Sequence, residues 1–393
     1  MLLDFLRPLY QDPPGGFGGR YVSVYLDTTP TTAKAEAQVT LRWQAARKRL
    51  AEAGADEATL DAVDRTATVL DHEVRGRVIF ARDGATWLEG TLPWPPRQEL
   101  ANLAPLPHVM PWLAQLPARA PHVRVAATRE GGHVLAVTAD GAEADETTVE
   151  GITWPVHKVS SGGWSQQRLQ RSAEETWAAN AKRTVAVVVA EAERVHAEFV
   201  LVGGDVRERS MVLDLLPPAL REAAEIVDKE VAADDAEFDA AAEAEEKRMA
   251  ARAGRQLLGE LAVRLEGSNS GTGADERRAV TGLSGTFTAL RDGLASDVLL
   301  IGEPAWLREA VWIGPGLAEA AVERAALADR GVTDLLHGRA DAALARAAAG
   351  TDAQLHLLFA DHDDDNGETE GDPRAAEVTD GVAALLRAPA AAL

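Results

Sequence analysis

The sequence lacks cysteine, long apolar runs and an excess of positive charge, and each absence narrows what the protein can be. Without cysteine there is no disulfide, no thiolate nucleophile and no cysteine-ligated metal. No stretch of about 18 apolar residues occurs, as a membrane-spanning helix requires. Residues 1–5 lack the basic and apolar regions of a signal peptide. We therefore expect a soluble, cytoplasmic protein with no membrane partner.

Positive charge is scarce across the whole chain. The sequence has 40 Lys and Arg against 62 Asp and Glu, which gives a net charge of −22. General nucleic-acid binders usually carry a basic face, so this balance excludes broad DNA or RNA binding and restricts any RNA contact to a local patch. At 393 residues with 46% hydrophobic content, the chain is long enough for two or three cores.

The first predicted domain covers residues 1–118. Its β-branched and aromatic segment Tyr21–Asp27 predicts a strand, and apolar residues at helical spacing predict helices over 33–53 and 57–70. A hairpin is predicted from 76–81 and 85–90, because Asp83-Gly84 suits a tight turn.

The second predicted domain covers residues 119–232 and alternates strands with helices, which indicates a three-layer α/β fold. A helix over about 166–193 follows the exposed loop at Gly162-Gly163-Trp164, and Asp205 is the expected cap of a helix over 206–215. The predicted strands are 123–127, 133–138, 152–156, 199–204 and 224–228.

The third predicted domain covers residues 233–393 and is a further α/β sandwich. The acidic loop 361–372 is expected to be solvated. Helices are predicted over 234–265, 276–292, 316–328, 339–348 and 378–386, and strands over 297–301 and 354–360.

The Gly162-Gly163-Trp164 loop is the leading candidate for function. A glycine pair allows close approach of the backbone to a partner, and an exposed Trp164 can stack on an unpaired base. Between His157 and Arg183 the basic residues outnumber the acidic ones, which gives a local charge suited to phosphate. We expect RNA binding by His157, Lys158, Gly162, Gly163, Trp164, Ser165, Gln166, Gln167, Arg168 and Arg171. An ordinary surface turn, with Trp164 folded back onto its domain, is the alternative.

Other candidate sites are weaker. The glycines at 15–19 precede a strand, whereas a phosphate-binding loop follows one. Gly203-Gly204-Asp205 lies between a strand and a helix, but the Asp205 carboxylate would repel anions, so helix capping is the expected role. The aspartates in 361–372 depart from the calcium-loop pattern. No catalytic constellation and no cofactor or metal site follow from spacing.

Several segments in order along the chain resemble those of the archaeo-eukaryotic class-1 peptide-release factors and Pelota. The resemblance is to their bacterial relatives, and the Balon-type ribosome hibernation factors of actinobacteria are the most similar group. It covers most of the chain and implies a three-domain, tRNA-like architecture. The segments that carry it are 22–27, 151–158 with Gly163-Trp164, 204–217, 299–303 and 380–387.

The resemblance also implies a site and partners. Release factors carry Gly-Gly-Gln at the tip that enters the peptidyl-transferase centre, whereas this chain has Gly162-Gly163-Trp164. An indole donates one hydrogen bond and accepts none, so it cannot replace the glutamine amide. The resemblance implies binding to rRNA of the ribosomal A site and peptidyl-transferase centre. It places the first domain toward the decoding centre and the third toward a translational GTPase, as in Balon with EF-Tu.

Three hypotheses remain open. The first is a non-enzymatic factor that blocks the A site of idle or stalled ribosomes during stress or dormancy. The second is a ribosome-dependent peptidyl-tRNA hydrolase for ribosome rescue that uses Gln166. The third is an acidic scaffold that does not bind RNA.

Overall fold

The structure is a computed structural model of the whole chain, and it describes most residues. The described ranges are 1, 3–10, 17–29, 35–68, 75–116, 119–138, 147–150, 163–228, 236–270, 278–358 and 373–387; side chains are not described at 35–36, 163–173 and 267–270. No helix within these ranges has the length and apolar character needed to cross a membrane.

Helices and strands alternate in a mixed α/β pattern, which confirms the predicted fold class. The helices are α1 (Arg7–Tyr10), α2 (Ala35–Glu52), α3 (Glu57–Ala67), α4 (Met110–Leu113), α5 (Gly163–Val195), α6 (Val206–Leu215), α7 (Pro218–Glu222), α8 (Ala236–Ser270), α9 (Leu283–Arg291), α10 (Ala325–Ala328) and α11 (Ala340–Gly350). The strands are β1 (Tyr21–Asp27), β2 (Gly76–Arg82), β3 (Ala85–Leu92), β4 (Leu100–Ala104), β5 (His122–Thr128), β6 (Gly131–Val137), β7 (Thr147–Glu150), β8 (Phe199–Gly204), β9 (Ala224–Ile226), β10 (Ala279–Thr281), β11 (Ala295–Ile301), β12 (Ala310–Ile313), β13 (Ala320–Ala321), β14 (Leu336–Arg339), β15 (Gln354–Leu358) and β16 (Val382–Leu386).

The chain forms two compact units. The first consists of Met1–Leu116 with Ala253–Leu393, and the second is Pro117–Arg252. The first unit is therefore discontinuous in sequence, with the second inserted between its two parts. Division into three domains at 118 and 232 remains a prediction.

The amino-terminal part of the first unit is an antiparallel sheet in the order β3-β2-β1-β4. The predicted hairpin between β2 and β3 is confirmed, and both of its turn residues have positive φ, 53° at Asp83 and 75° at Gly84. This is the conformation that a two-residue hairpin turn requires. The predicted strand Tyr21–Asp27 is confirmed as β1, and Asp56 caps α3 by accepting from the Thr59 backbone N–H at 2.8 Å.

The carboxy-terminal part of the first unit contains one sheet in the order β10-β16-β11-β15 and another in the order β13-β12-β14. Its buried side chains join those of the amino-terminal part in a single core. Tyr25, Phe80 and Trp112 belong to the same buried cluster as Phe287 and Leu344. The two parts therefore fold around shared apolar contacts.

Three helix predictions in this part were wrong. Residues 378–386 form a 3₁₀ turn, Thr379–Gly381, followed by the buried strand β16. The predicted helix 276–292 is β10 followed by α9, and the break falls at Gly282, whose φ is 81°. Residues 316–328 hold β13 and the short α10, because Ile313 pairs with Ala320 and Trp312 with Ala321 across a hairpin. The strands β12 and β14 were not predicted.

The second unit is a three-layer α/β fold, as expected for the central region. Its sheet has the order β7-β6-β5-β8-β9, with β5, β8 and β9 parallel. One face packs against α5 and α6 through buried side chains such as Val188 and Val212. The other face packs against the first turns of α8 through Phe238 and Ala242.

Candidate nucleic-acid interface

The predicted RNA-binding residues lie at and before the start of α5. His157, Lys158 and Gly162 fall outside the described residues. The backbone of Gly163 through Arg171 is helical, because α5 begins at Gly163. The helix was predicted to start near Gln166, so the prediction that Gly163 and Trp164 belong to a loop was wrong. The predicted RNA-binding role of these residues remains a prediction.

The first turns of α5 precede Asn180, which contacts the end of the five-stranded sheet where β5 turns into β6. At that end Glu150, the last residue of β7, pairs with Gly131. The buried Asn180 of α5 donates its side-chain N–H to the Arg129 carbonyl oxygen at 3.0 Å, next to the same turn. Helix α5 rises about 1.5 Å per residue, so about 25 Å of it precedes Asn180. We call residues 163–179 the α5 arm.

The end of β8 builds the base of the arm. Gly204 has a φ of 98°, and a Cβ atom there would lie 2.1 Å from the Ala127 carbonyl oxygen. Only glycine fits this close approach of β8 to β5. The turn lets the Asp205 backbone N–H donate to Ala127 at 3.1 Å. The Asp205 carboxylate caps α6 by accepting from the Arg207 backbone N–H at 3.0 Å, which confirms the predicted cap.

Two arginines meet on one tryptophan at this base. The guanidinium of Arg207 lies 4.9 Å from the ring centroid of Trp177, and that of Arg129 lies 5.9 Å from it. Both distances are within the range of cation–π attraction. Arg129 also donates to Asp205 at 3.2 Å, and Arg207 donates to Glu174 at 3.1 Å. Trp177 and Glu174 belong to the arm, so these contacts attach it to the turn after β5 and to the start of α6.

A second acid lies beneath this cluster. Glu208 is 3% exposed, and burial beside the Asp205 carboxylate raises its pKa. The neighbouring Glu208 carboxyl, the Arg207 backbone N–H and Arg129 lower the pKa of Asp205. Of the two acids, Glu208 is therefore the one more readily protonated and Asp205 the one that ionises more readily. Arg129 and Arg207 each pair with one carboxylate, Asp205 and Glu174 respectively.

The arrangement holds two cations in fixed positions at the solvent surface. The side chains of Arg129 and Arg207 remain 66% and 56% exposed. Each of these two hydrogen bonds uses one nitrogen of a guanidinium that carries five N–H donors. The base of the arm can therefore present hydrogen-bond donors to an external anion while keeping its internal contacts.

Sequence reasoning missed Arg129, Trp177 and Arg207. A usable signal was present, because Arg129 follows β5 and Arg207 follows β8, and carboxyl ends of neighbouring parallel strands lie at one edge of a sheet. The predicted capping role of Asp205 in Gly203-Gly204-Asp205 is confirmed. The prediction did not extend to Arg129 and Arg207 beside it.

The remaining candidate sites lie partly outside the described residues. Within the described ranges, no group of three His, Asp or Glu side chains is arranged to hold a metal ion. The acidic loop 361–372 and the first two glycines of 15–19 fall outside the described residues. Gly19 packs against the Arg82 guanidinium, where a Cβ atom would lie 2.5 Å from Nε.

Comparison with known proteins gives matches of several kinds. A family model, bacterial archaeo-eukaryotic release factor family 2, matches residues 121–278. The uncharacterized protein Rv2629 of Mycobacterium tuberculosis (strain ATCC 25618 / H37Rv) is 28% identical over 377 residues, which cover 94% of this chain and 93% of that protein.

Solved structures are similar over most of the chain at low identity. The archaeal translation termination factor aRF1 is 15% identical, with 98% of each chain covered and a TM-score of 0.25. Pelota of Archaeoglobus fulgidus is 14% identical, with 98% of this chain and 92% of that chain covered and a TM-score of 0.39.

Proposed function

We propose that this chain, a bacterial relative of the archaeo-eukaryotic release factors as the family match over residues 121–278 indicates, is a ribosome-binding translation factor. It occupies the A site of idle or stalled ribosomes and contacts rRNA through the segment that begins α5. The observation that carries the proposal is the α5 arm within the matched segment. About 25 Å of helix precedes Asn180, and a helical segment of this length is suited to reach into a narrow RNA-lined space.

The residues at the start of the arm favour binding without peptide release. Gly163 and Trp164 stand where a release factor carries the last two residues of Gly-Gly-Gln. The indole of Trp164 has one N–H donor and no acceptor, so it cannot position water as a glutamine amide does. It can stack on an unpaired base, a contact of about 1–3 kcal/mol. This chemistry fits a hibernation factor of the Balon type that occupies the A site.

Co-sedimentation with purified ribosomes over a salt series tests the proposal. We expect the wild-type protein to pellet with ribosomes at about 0.1 M salt. The double variant Trp164→Ala with Arg168→Glu should lose most of this binding, because it removes a stacking group and reverses a charge. An unchanged melting temperature of the variant would show that it remains folded. Failure of the wild-type protein to pellet at any salt would contradict the proposal and favour an acidic scaffold.

A peptidyl-tRNA release assay on the same complexes distinguishes this proposal from the remaining alternative, a ribosome-dependent peptidyl-tRNA hydrolase. We expect binding without release of peptide. Release that disappears in Gln166→Ala, with binding retained, would identify a ribosome-dependent hydrolase instead. The Gln166→Ala variant is the matched control for the tip, since it leaves the glycine, Trp164 and the arginines unchanged.

A further inference from the structure

We propose that Arg129 and Arg207, held on Trp177, form a second RNA-binding site that takes two phosphates of ribosomal RNA at the base of the α5 arm. The proposal rests on the function proposed above and extends its RNA contact from the start of the arm to the sheet edge. It assigns a binding role to residues that the sequence did not indicate.

The first support is the preorganisation of the two guanidinium groups. Arg207 and Arg129 contact the same indole ring, at 4.9 and 5.9 Å from its centroid. Planar guanidinium groups match phosphate oxygens through paired N–H donors. Because the stacking already restricts the side chains, less conformational entropy is lost when a phosphate binds.

The second support is the charge balance at the site. Asp205 and Glu174 each accept from one arginine, but exposed ion pairs of this kind contribute only about 0–1 kcal/mol. A phosphate can therefore compete for the exposed donors without a large loss.

The third support is the presence of further basic residues near the site in the sequence. Lys182 and Arg183 are exposed on α5 in the turn after Asn180, and Lys158, Arg168 and Arg171 precede the site along the chain. Basic residues thus recur along the segment from the arm to the sheet edge. These residues add positive charge to the segment around the site, which suits the phosphates of an RNA backbone.

The test compares charge-neutralised variants by their salt dependence of ribosome binding. The double variant Arg129→Gln with Arg207→Gln should bind more weakly and lower the slope of log affinity against log salt by about 1.5–2, since each phosphate contact contributes about 0.9 to the slope. The matched control is Arg194→Gln with Arg248→Gln, which removes two exposed, salt-bridged arginines elsewhere in the second unit. The control should keep the wild-type slope.

A charge-conserving variant separates RNA contact from a structural role. Arg129→Lys with Arg207→Lys keeps both cations but loses planar stacking, so we expect the wild-type slope with intermediate affinity. Weaker binding of the glutamine variant with an unchanged slope would mean that the arginines only hold the arm, and would overturn the inference.

The outcomes also distinguish this inference from the proposed function. Binding of the glutamine variant equal to that of its control, with loss in the Trp164→Ala and Arg168→Glu variant, would overturn the second site and leave ribosome binding intact. Absence of wild-type binding would overturn both.

Discussion

Gly204 takes a left-handed backbone conformation where β8 ends, and its α-carbon faces the backbone of Ala127. The Gly204→Ala variant should lower the free energy of unfolding by about 2–3 kcal/mol, because it combines an unfavourable φ with a backbone collision. Gly293→Ala is the matched control, since Gly293 has a φ of 69° and nothing within 4 Å of the added Cβ. The Gly293→Ala variant should lose only about 1 kcal/mol of unfolding free energy. Urea unfolding measures the loss in each variant. Equal losses would show that the collision at Ala127 is relieved.

His122 gives the second unit a pH-dependent stability. Its ring stacks on Phe199 at 4.6 Å, its Nδ1 lies 2.9 Å from the Ala120 carbonyl oxygen, and its Nε2 accepts from Arg124 at 3.1 Å. These partners require the neutral ring with the proton on Nδ1. Burial, opposed by the bond to Ala120 and reinforced by Arg124, lowers the pKa of His122 to about 4.

The direction of the effect follows from this lowered pKa. The unfolded chain protonates His122 near pH 6.5, whereas the folded unit resists protonation down to about pH 4. The stabilising contribution is therefore complete above pH 6.5 and is lost as the pH falls toward 4. We expect the wild-type protein to lose about 2 kcal/mol more than His122→Gln between pH 7 and 4.5 in urea unfolding. Parallel pH profiles of the two proteins would contradict this assignment.

At the scale of elements, the carboxy-terminal strand β16 illustrates what the sequence does not reveal. Val382–Leu386 is a short apolar run in an alanine-rich context, and such a run is compatible with a buried helix or a buried strand. Its partners β10 and β11 are distant in sequence, and pairing with them decides the outcome. Elements with their own local signals, such as the Asp83-Gly84 turn and the Asp205 cap, were predicted correctly.

The buried position of β16 leads to a test with one substitution at two sites. Leu385 is 1% exposed between the sheet and α8, whereas Leu294 is 50% exposed at the start of β11. Leu385→Ala should lower the free energy of unfolding by about 2–5 kcal/mol through lost burial and a residual cavity. Leu294→Ala should change it by less than about 1 kcal/mol. Similar effects at the two sites, measured by thermal or urea unfolding, would argue against a buried strand.

The candidate site shows the same limit on prediction. The composition between residues 157 and 183 indicated a local basic segment, and the resemblance indicated its start as the tip. The meeting of Arg129, Trp177 and Arg207 depends on the parallel register of β5 and β8 and on the backbone turn at Gly204. No local sequence pattern predicts the register of β5 and β8. The proximity of Arg129 and Arg207 therefore could not be predicted from the sequence.

At the scale of the whole molecule, the net charge of −22 opposes the approach of any RNA. At about 0.01 M salt the screening length is about 30 Å and the acidic body repels RNA, whereas at 0.1 M it is about 10 Å and only close contacts are felt. We expect the association rate with ribosomes to rise over this range, opposite to a basic RNA-binding protein. Stopped-flow binding measures this association rate. A rate that falls steadily with added salt would show that local basic patches, rather than the net charge, control association with ribosomes.

The α5 arm also acts as a lever. A rod of about 25 Å that tilts by about 5° at its base moves its far end by about 2 Å, which is enough to separate a stacked base from an indole. The contacts of Trp177 with Arg129 and Arg207 lie close to the fulcrum. Small changes there would be magnified at Gly163 and Trp164, and under the inference above they include the exchange of a carboxylate for a phosphate.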